Sequence, residues 1–160
     1  MKNQFPEPDA LTSVAKFHDT FQLPVVDNPS IPSKERCALR VNLLQEELDE
    51  LKEAIQENDL VEIADALSDL QYVLSGAVLE FGLAHKFKSL FDEVQRSNMS
   101  KTCKTMQEAE ATQQHYKSTK DTDSRIEEKN GEYLVFRESD GKVLKSVNYS
   151  EADLKSIVID

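Results

Sequence analysis

Residues that interrupt regular structure are almost absent from most of this chain. All five prolines lie before Ser33, and the 160 residues include only four glycines. Proline and glycine are the residues that most often end or kink helices and strands. From Ser33 onward the chain is therefore free to form long, uninterrupted elements, and short capping signals must decide where each element ends.

Apolar periodicity and capping residues predict five helices. Apolar residues recur at alternating steps of four and three from Cys37 to Ile55, which is the seam that one helix uses to pack on another. Asp59 and Glu62 have the spacing of a capping box at the start of the next helix. The predicted helices span residues 9–21, with Asp9 as cap, then 33–58, 59–81, 84–98 and 105–118, and an extended connector covers residues 25–32.

The same pattern predicts the fold class. The helix predicted over 59–81 is apolar nearly all round, as expected for the centre of a bundle. Near the C-terminus, two short apolar runs at 132–136 and 143–144 flank an Asp-Gly pair, which favours a β-hairpin turning at Asp140-Gly141. We expect an all-α bundle of four to five helices over residues 1–118. A charged linker and a small C-terminal β-hairpin appendage would follow over 119–160.

Composition narrows the range of partners. The net charge of −11 argues against a nucleic-acid duplex or an anionic membrane, since both attract basic surfaces. It does not argue against a nucleotide that arrives with its own Mg²⁺. No apolar run has transmembrane length, and the N-terminus lacks the apolar region of a signal peptide. Cys37 and Cys103 match no metal or redox spacing, so we expect reduced thiols and a cytoplasmic location.

Two acidic clusters occur in the second and third predicted helices. The first contains Glu46, Glu47 and Glu50, with Glu47 within the apolar sector of its helix, Glu50 at the margin, and Glu46 and Glu53 on the opposite side. The second contains Glu62, Asp65 and Asp69 in one stripe, and no Lys or Arg occurs between Glu53 and His85. Consecutive helices joined by a short turn are antiparallel neighbours, so both clusters fall at similar heights.

Converging carboxylates without a basic partner predict a divalent metal site. A buried charge without a partner is very costly, and oxygen ligands suit Mg²⁺ or Mn²⁺. None of the three histidines has a glutamate three residues before it, which excludes the Glu-x-x-His pairs of di-iron bundles. The alternative for the first cluster alone is a solvated helix surface, for which such a string is common.

Two further segments are candidates for ligand contacts. Residues 96–101 read Arg-Ser-Asn-Met-Ser-Lys and offer donors for a polyphosphate or a base edge, or alternatively a helix C-cap. The aromatics around His18 are suited to stacking on a base, or alternatively to core packing.

These motifs together resemble a known superfamily. Glu46-Glu47-x-x-Glu50, followed by acids that end at Asp69, is similar to the MazG-type all-α nucleoside triphosphate pyrophosphohydrolases, which also include dimeric dUTPases and phosphoribosyl-ATP pyrophosphohydrolase. The resemblance extends to residues 65–76, to Phe17-His18, to 97–101 and to 140–145. It departs from the pattern at Ala66, where the second motif usually has Glu. Asp65 or Glu62 is then the candidate to supply the carboxylate oxygen that this Glu would provide.

The resemblance implies hydrolysis of a (d)NTP to the monophosphate and pyrophosphate, as a nucleotide-pool house-cleaning activity. It implies a homodimer or homotetramer and Mg²⁺ or Mn²⁺ as cofactor. The implied metal ligands are Glu47, Glu50, Asp65 and Asp69, and the implied catalytic residues are Glu46 and Glu47. The implied substrate-binding residues are His18, Arg96, Asn98 and Lys101.

Two alternatives remain open at this stage. One is phosphoribosyl-ATP hydrolysis by the same kind of site. The other is a catalytically inactive helical module that binds a nucleotide or a protein, which the Ala66 departure keeps under consideration.

Overall fold

Helices dominate the computed structural model, which describes residues 4–159. In chain order the elements are α1 (Ala10–Thr20), α2 (Lys34–Glu57), α3 (Leu60–Glu80), α4 (Ala84–Met99), α5 (Met106–Lys120), β1 (Ser124–Lys129), β2 (Glu132–Arg137) and α6 (Leu154–Ile159). The predicted helical class with a small C-terminal hairpin is confirmed, as are the five predicted helices. Within the described residues, no helix has the length and apolar character needed to span a membrane.

Side-chain caps fix the ends of the two long helices. The hydroxyl of Ser33 accepts a hydrogen bond from the backbone of Arg36 at the start of α2. The carboxylate of Asp59 accepts hydrogen bonds from Val61 and Glu62 at the start of α3, as predicted. Asp9 directly precedes α1, but its side chain makes no capping hydrogen bond.

The chain divides into two compact units, one ending at Phe87 and the other beginning at Lys88. In the first unit, α3 packs against both α2 and α1. In the second, α5 packs against both strands of the hairpin. The predicted boundary at residues 118/119, between a helical domain and a linker with a hairpin appendage, stays a prediction.

A buried carboxylate lies at the centre of the first unit. Glu80 of α3 is 1% exposed and forms ion pairs with both Arg36 and Arg40 of α2. Burial by itself raises the pKa of Glu80, but hydrogen bonds from Arg36 and Arg40 and their positive charges outweigh burial and hold that pKa below its usual value. The carboxylate therefore stays ionised and binds α2 to α3.

His18 extends this cluster to α1. The ring Nδ1 lies 2.8 Å from the carbonyl oxygen of Pro24, and Nε2 lies 3.2 Å from Nη2 of Arg40. A carbonyl accepts and a guanidinium only donates, so Nδ1 carries the proton and Nε2 accepts. Gly76 leaves the space that this contact needs, since a Cβ there would lie 2.6 Å from Nη1 of Arg40.

The second unit has a smaller core between α5, the hairpin and the segments around them. Cys103, Ala109, Val135 and Leu144 are buried there, with Tyr116, Ile126 and Tyr133 packed around them. Cys103 exchanges backbone hydrogen bonds with Tyr133, at 2.8 Å and 2.9 Å. This pairing attaches the segment before α5 to the hairpin.

The position of the hairpin corrects the sequence prediction. Strand β1 occupies part of the segment expected to be a charged linker, and the turn is Asn130-Gly131. Both turn residues have positive φ, 55° and 80°, as the two-residue turns that match strand twist require. The expected turn at Asp140-Gly141 follows β2, but its return segment makes only an isolated bridge between Val143 and Phe136. The short helix α6 had no counterpart in the prediction.

Replacing Glu80 tests the buried cluster. Glu80→Gln is expected to lower the free energy of unfolding by about 3–5 kcal/mol at neutral pH, because the buried Arg40 loses its counter-charge. The matched control is Asp92→Asn in the exposed Lys88–Asp92 pair, where the expected loss is below ~1 kcal/mol. Urea unfolding followed by circular dichroism measures both variants, and equal losses would contradict the assignment.

The effect of Glu80→Gln on the free energy of unfolding should depend on pH. Because the native pKa of Glu80 is lowered, its stabilisation is complete above the ordinary value of 4.5 and is lost as the pH falls below that value. The stability difference between the original chain and Glu80→Gln should therefore stay constant above about pH 5 and shrink progressively as the pH falls below that value. A difference that stays constant below that value as well would show that Glu80 is not an ionised partner.

Candidate functional site

An acidic cavity lies between α2 and α3. Its volume is about 540 Å³, and its lining consists of Glu50, Glu53, Ala54, Glu57, Glu62, Asp65 and Ala66. The two alanines are almost completely buried, so the long acidic side chains form the walls above small residues. No Lys or Arg occurs among the described lining residues. The cavity is therefore a concentration of negative charge.

Glu47 shows how close the two acidic clusters come. Its side chain is half-buried, and burial is the first cause that raises its pKa. The negative charges of Glu50, Asp69, Glu46 and Asp65 raise that pKa further. Acids from both helices thus act on one carboxyl group, and none of the causes lowers its pKa. Glu50 and Asp65 line one cavity, and the chemical roles of these acids stay predictions.

The donor set is suited to a hard divalent cation. Carboxylate oxygens are the ligands that Mg²⁺ and Mn²⁺ prefer, and the group contains no softer nitrogen or sulfur ligand. As the side chains stand, no three His, Cys, Asp or Glu residues in the described part of the chain are close enough together to hold a metal ion.

Two cavity residues escaped the sequence prediction. Glu53 was expected on the opposite side of α2, and Glu57 was not singled out, yet both line the cavity with Glu50. The sequence contained the signal for this face, because Glu50, Glu53 and Glu57 have the spacing i, i+3 and i+7, which places side chains on one side of a helix. The sequence prediction assigned the sides of α2 relative to its apolar seam. Near the turn, the face of α2 that lines the cavity is wider than that seam and includes Glu53 and Glu57.

A second cavity in the first unit lies between the start of α1 and the middle of α3. Its volume is about 440 Å³, and its walls include Val14, Leu67, Ser68, Gln71 and Tyr72. Tyr72 makes an edge-to-face contact with Phe17, with ring centroids 5.7 Å apart. This cavity is mostly apolar, and its lining residues include Asp9, the amide of Gln71 and the hydroxyl residues Ser13 and Ser68. It adjoins the acidic stripe, because Ser68 and Tyr72 lie beside Asp69 on α3.

His18 is placed inside the protein. It is 1% exposed, and both ring nitrogens are engaged by Pro24 and Arg40. This geometry favours the packing interpretation of the aromatic segment. The expected contact of His18 with substrate stays a prediction.

The segment at the end of α4 binds the chain's own tail. Arg96 donates two hydrogen bonds to Glu93, at 2.7 Å and 2.8 Å, and others to Ser150 and the carbonyl oxygen of Glu151. The hydrogen bonds from Arg96 and from the backbone of Asp153 lower the pKa of Glu93 to about 2. The predicted phosphate contact of Arg96 is untested, and most donors of its guanidinium are already used.

The neighbouring residues of this segment are also engaged. Ser97 is buried, and its hydroxyl lies 2.8 Å from that of Tyr149. Asn98 accepts a hydrogen bond from Nζ of Lys101 at 2.7 Å. Asn98 and Lys101 belong to the second unit, and their substrate contacts stay predictions.

The two long helices of the first unit direct carboxylates into one cavity, which is consistent with the resemblance to the all-α pyrophosphohydrolases. The chain belongs to the phosphoribosyl-ATP pyrophosphohydrolase family, whose model matches residues 14–98, more than half of the sequence. This confirms the resemblance to the MazG-like all-α NTP pyrophosphohydrolase superfamily. Family membership supports a pyrophosphohydrolase-type function. The match includes α2 and α3 and ends before α5 and the hairpin.

A viral protein is also similar to this chain. It is an uncharacterized protein of Acanthamoeba polyphaga mimivirus, 26% identical over 194 aligned residues that cover 68% of this chain and 77% of the relative. Its name assigns no activity, so it adds no functional information.

The acidic side chains around Glu47 lead to a prediction about stability. Glu47→Gln is expected to raise the melting temperature in EDTA by about 1–3 °C at pH 7, because it removes one of several like charges. The gain should vanish at low pH, where a group with a raised native pKa is protonated in both the folded and unfolded states.

The control for this variant lies on the same helix. Hydrogen bonds from Lys52 and Gln45 lower the pKa of Asp49, so Asp49→Asn should leave the melting temperature unchanged or lower it. Differential scanning calorimetry measures both. A gain of equal size in the two variants would mean that net charge, rather than the cluster, is responsible.

Proposed function

We propose that this chain is a metal-dependent pyrophosphohydrolase that cleaves a (d)NTP to the (d)NMP and pyrophosphate, as a nucleotide-pool house-cleaning enzyme. The observation that carries the proposal is the group of carboxylates around Glu47, which come from two helices and raise its pKa with no opposing cation. Such an arrangement opposes folding, so its presence in a family of pyrophosphohydrolases supports a catalytic use.

The proposed ligands for Mg²⁺ or Mn²⁺ are Glu47, Glu50, Asp65 and Asp69. A divalent cation bound there would neutralise phosphoryl charge and help to orient the phosphate chain. Asp65 is exposed and lines the acidic cavity beside the buried Ala66. This position supports Asp65 as the replacement for the glutamate that the family usually has one residue later.

The proposed role of Glu46 or Glu47 is to orient and deprotonate the attacking water. A general base works best when its pKa lies near the working pH. Burial and the surrounding acids move the pKa of Glu47 in that direction. Glu46 is exposed, whereas Glu47 is half-buried, so Glu47 is the stronger candidate.

We place the nucleoside in the cavity between α1 and α3. A volume of about 440 Å³ falls within the ~300–1,000 Å³ that small-molecule sites occupy. The ring of Tyr72 offers a surface for a base, and the amide of Gln71 offers both a donor and an acceptor for a base edge. The substrate contacts predicted for His18, Arg96, Asn98 and Lys101 are kept as part of the proposal.

We also propose a homodimer or homotetramer. Val41 and Ile55 of α2, and Leu60, Val61 and Leu67 of α3, are each more than half exposed. Apolar surface concentrated on two adjacent helices supports an interface between copies. Multi-angle light scattering at micromolar concentration is expected to give at least twice the chain mass of 18.1 kDa, and a monomer would contradict the proposal.

Metal binding is tested without turnover. Mg²⁺ or Mn²⁺ at ~100 times its dissociation constant should add about 2.7 kcal/mol to the free energy of unfolding. Asp69→Asn should abolish this gain, whereas Asp49→Asn, on α2 but outside the proposed ligand set, should retain it. Thermal melts with EDTA or metal measure the effect. A metal-dependent gain that survives in Asp69→Asn would remove that residue from the ligand set.

Activity is tested by pyrophosphate release. The purified chain with Mg²⁺ or Mn²⁺ is screened against the canonical and several damaged (d)NTPs and against phosphoribosyl-ATP. Glu47→Gln should fold and lose activity by a factor of ~100 or more, whereas Lys101→Ala should mainly raise KM. Release from phosphoribosyl-ATP alone would favour that substrate. The absence of release from every compound would favour an inactive binding module.

A further inference from the structure

A basic cavity lies within the second unit, beyond the residues that the family model matches. Its volume is about 380 Å³. It is bordered by α5, by the end of β2, by the segment after α4 and by the tail that follows the hairpin. None of the residues of the acidic cavity contributes to it.

Five basic side chains line this cavity. They are Lys101, Lys120, Arg137, Lys142 and Lys145, and no Asp or Glu occurs among the described lining residues. Arg137 is paired with Asp140, with a hydrogen bond of 2.7 Å. The other four have no carboxylate within ion-pair distance in residues 4–159.

This collection of charge is unusual for a chain with a net charge of −11. The same unit contains many exposed acids that form pairs elsewhere, such as Asp121 and Asp123 with Lys117. Lys101 donates a hydrogen bond to Asn98, and Nζ of Lys120 and of Lys145 lies over the rings of Tyr116 and Tyr149, so neutral groups hold these three ammonium groups. Like charges without a carboxylate partner at one concave site raise the local potential and attract a ligand of opposite sign. The lining is therefore complementary to a multiply charged anion.

The backbone holds these residues in place. The hydroxyl of Tyr116 accepts a hydrogen bond from the backbone N–H of Lys145 at 3.2 Å. Leu144 is buried and donates its N–H to the carbonyl of Val135 at 2.8 Å. Arg137 donates its N–H to the carbonyl of Lys142 at 2.9 Å. The tail thus brings two lysines to a fixed position against α5 and β2, and such preorganisation lowers the cost of binding.

We propose that this cavity binds a phosphate chain, either free pyrophosphate or the polyphosphate of a nucleotide. Lysine ammonium groups and an arginine are the groups that recognise phosphate oxygens. Several adjacent phosphate charges match several adjacent cations better than a monovalent anion does. Thr122 adds a hydroxyl, and the half-buried ring of Tyr116 lies at the wall. The overall acidity of the chain opposes a nucleic-acid backbone, which presents its charges over a long surface.

This site goes beyond the proposed function, because phosphate binding here needs neither the acidic residues nor a divalent metal. Its test is therefore run in EDTA on the full chain, where the proposed hydrolysis is inactive. Lys101 lines this cavity and also belongs to the substrate contacts proposed above, so the test varies Lys142, which has no part in them. A failure of pyrophosphate release in the activity screen would leave the binding result unchanged.

Isothermal titration calorimetry with pyrophosphate and, separately, with ATP measures the binding. Lys142→Ala removes an exposed cavity lysine and is expected to weaken pyrophosphate binding about tenfold. Lys129→Ala is the matched control, since Lys129 is exposed at the end of β1 in the same unit and does not line the cavity. It should change the dissociation constant less than about twofold, because a distant surface charge is screened.

The outcomes separate the two ligand sources. Binding of both compounds with the same sensitivity to Lys142→Ala assigns the site to the phosphate chain alone. If ATP binds, Lys142→Ala weakens that binding and pyrophosphate does not bind, the cavity is assigned to a nucleotide. The proposal is overturned if neither compound binds, if the binding is indifferent to Lys142→Ala, or if Lys129→Ala weakens it equally.

Discussion

One buried carboxylate determines how the three helices of the first unit fit together. Glu80 of α3 is ionised inside the protein because Arg36 and Arg40 of α2 surround it. Arg40 in turn reaches His18 of α1. A buried ion is tolerated only when its partners are correctly placed, so the cluster penalises any shift of one helix along another. The positions of the acidic side chains farther along α2 and α3 follow from this alignment.

The antiparallel pairing separates two opposite electrostatic environments along the same helices. The arginines lie early in α2 and Glu80 lies at the end of α3, so charges of opposite sign are matched at that end. Glu47 and Glu50 lie later in α2, opposite the early part of α3 with Asp65, and there acids face acids. The matched end stabilises a helix pair whose other end opposes folding. Sites that violate local stability in this way are typical of functional positions.

Sequence reasoning succeeded where local signals and tertiary structure agreed. The lack of prolines after Ser33, the alternating apolar steps and the cap at Asp59 predicted the helices, and the antiparallel turn predicted that the two acidic clusters would meet. Sequence reasoning failed where contacts between distant residues determine the structure. Strand β1 is rich in charged residues, such as Arg125, whose guanidinium lies 5.0 Å from the ring centre of Phe136. No periodicity shows that Glu93 and a distant tail would occupy Arg96, or that Lys101 and Lys142 line one cavity.

The two cysteines are distributed so that each compact unit contains one. Cys37 lies half-buried on α2, whereas Cys103 is completely buried, with its sulfur 3.6 Å from the hydroxyl of Thr112. A thiol protected by packing reacts with an alkylating reagent only when its surroundings open. Cys103 is thus an intrinsic probe for opening of the second unit. Cys37, which is only half-buried, would react without such opening, so its modification rate would serve as the reference for reagent access in the same molecule.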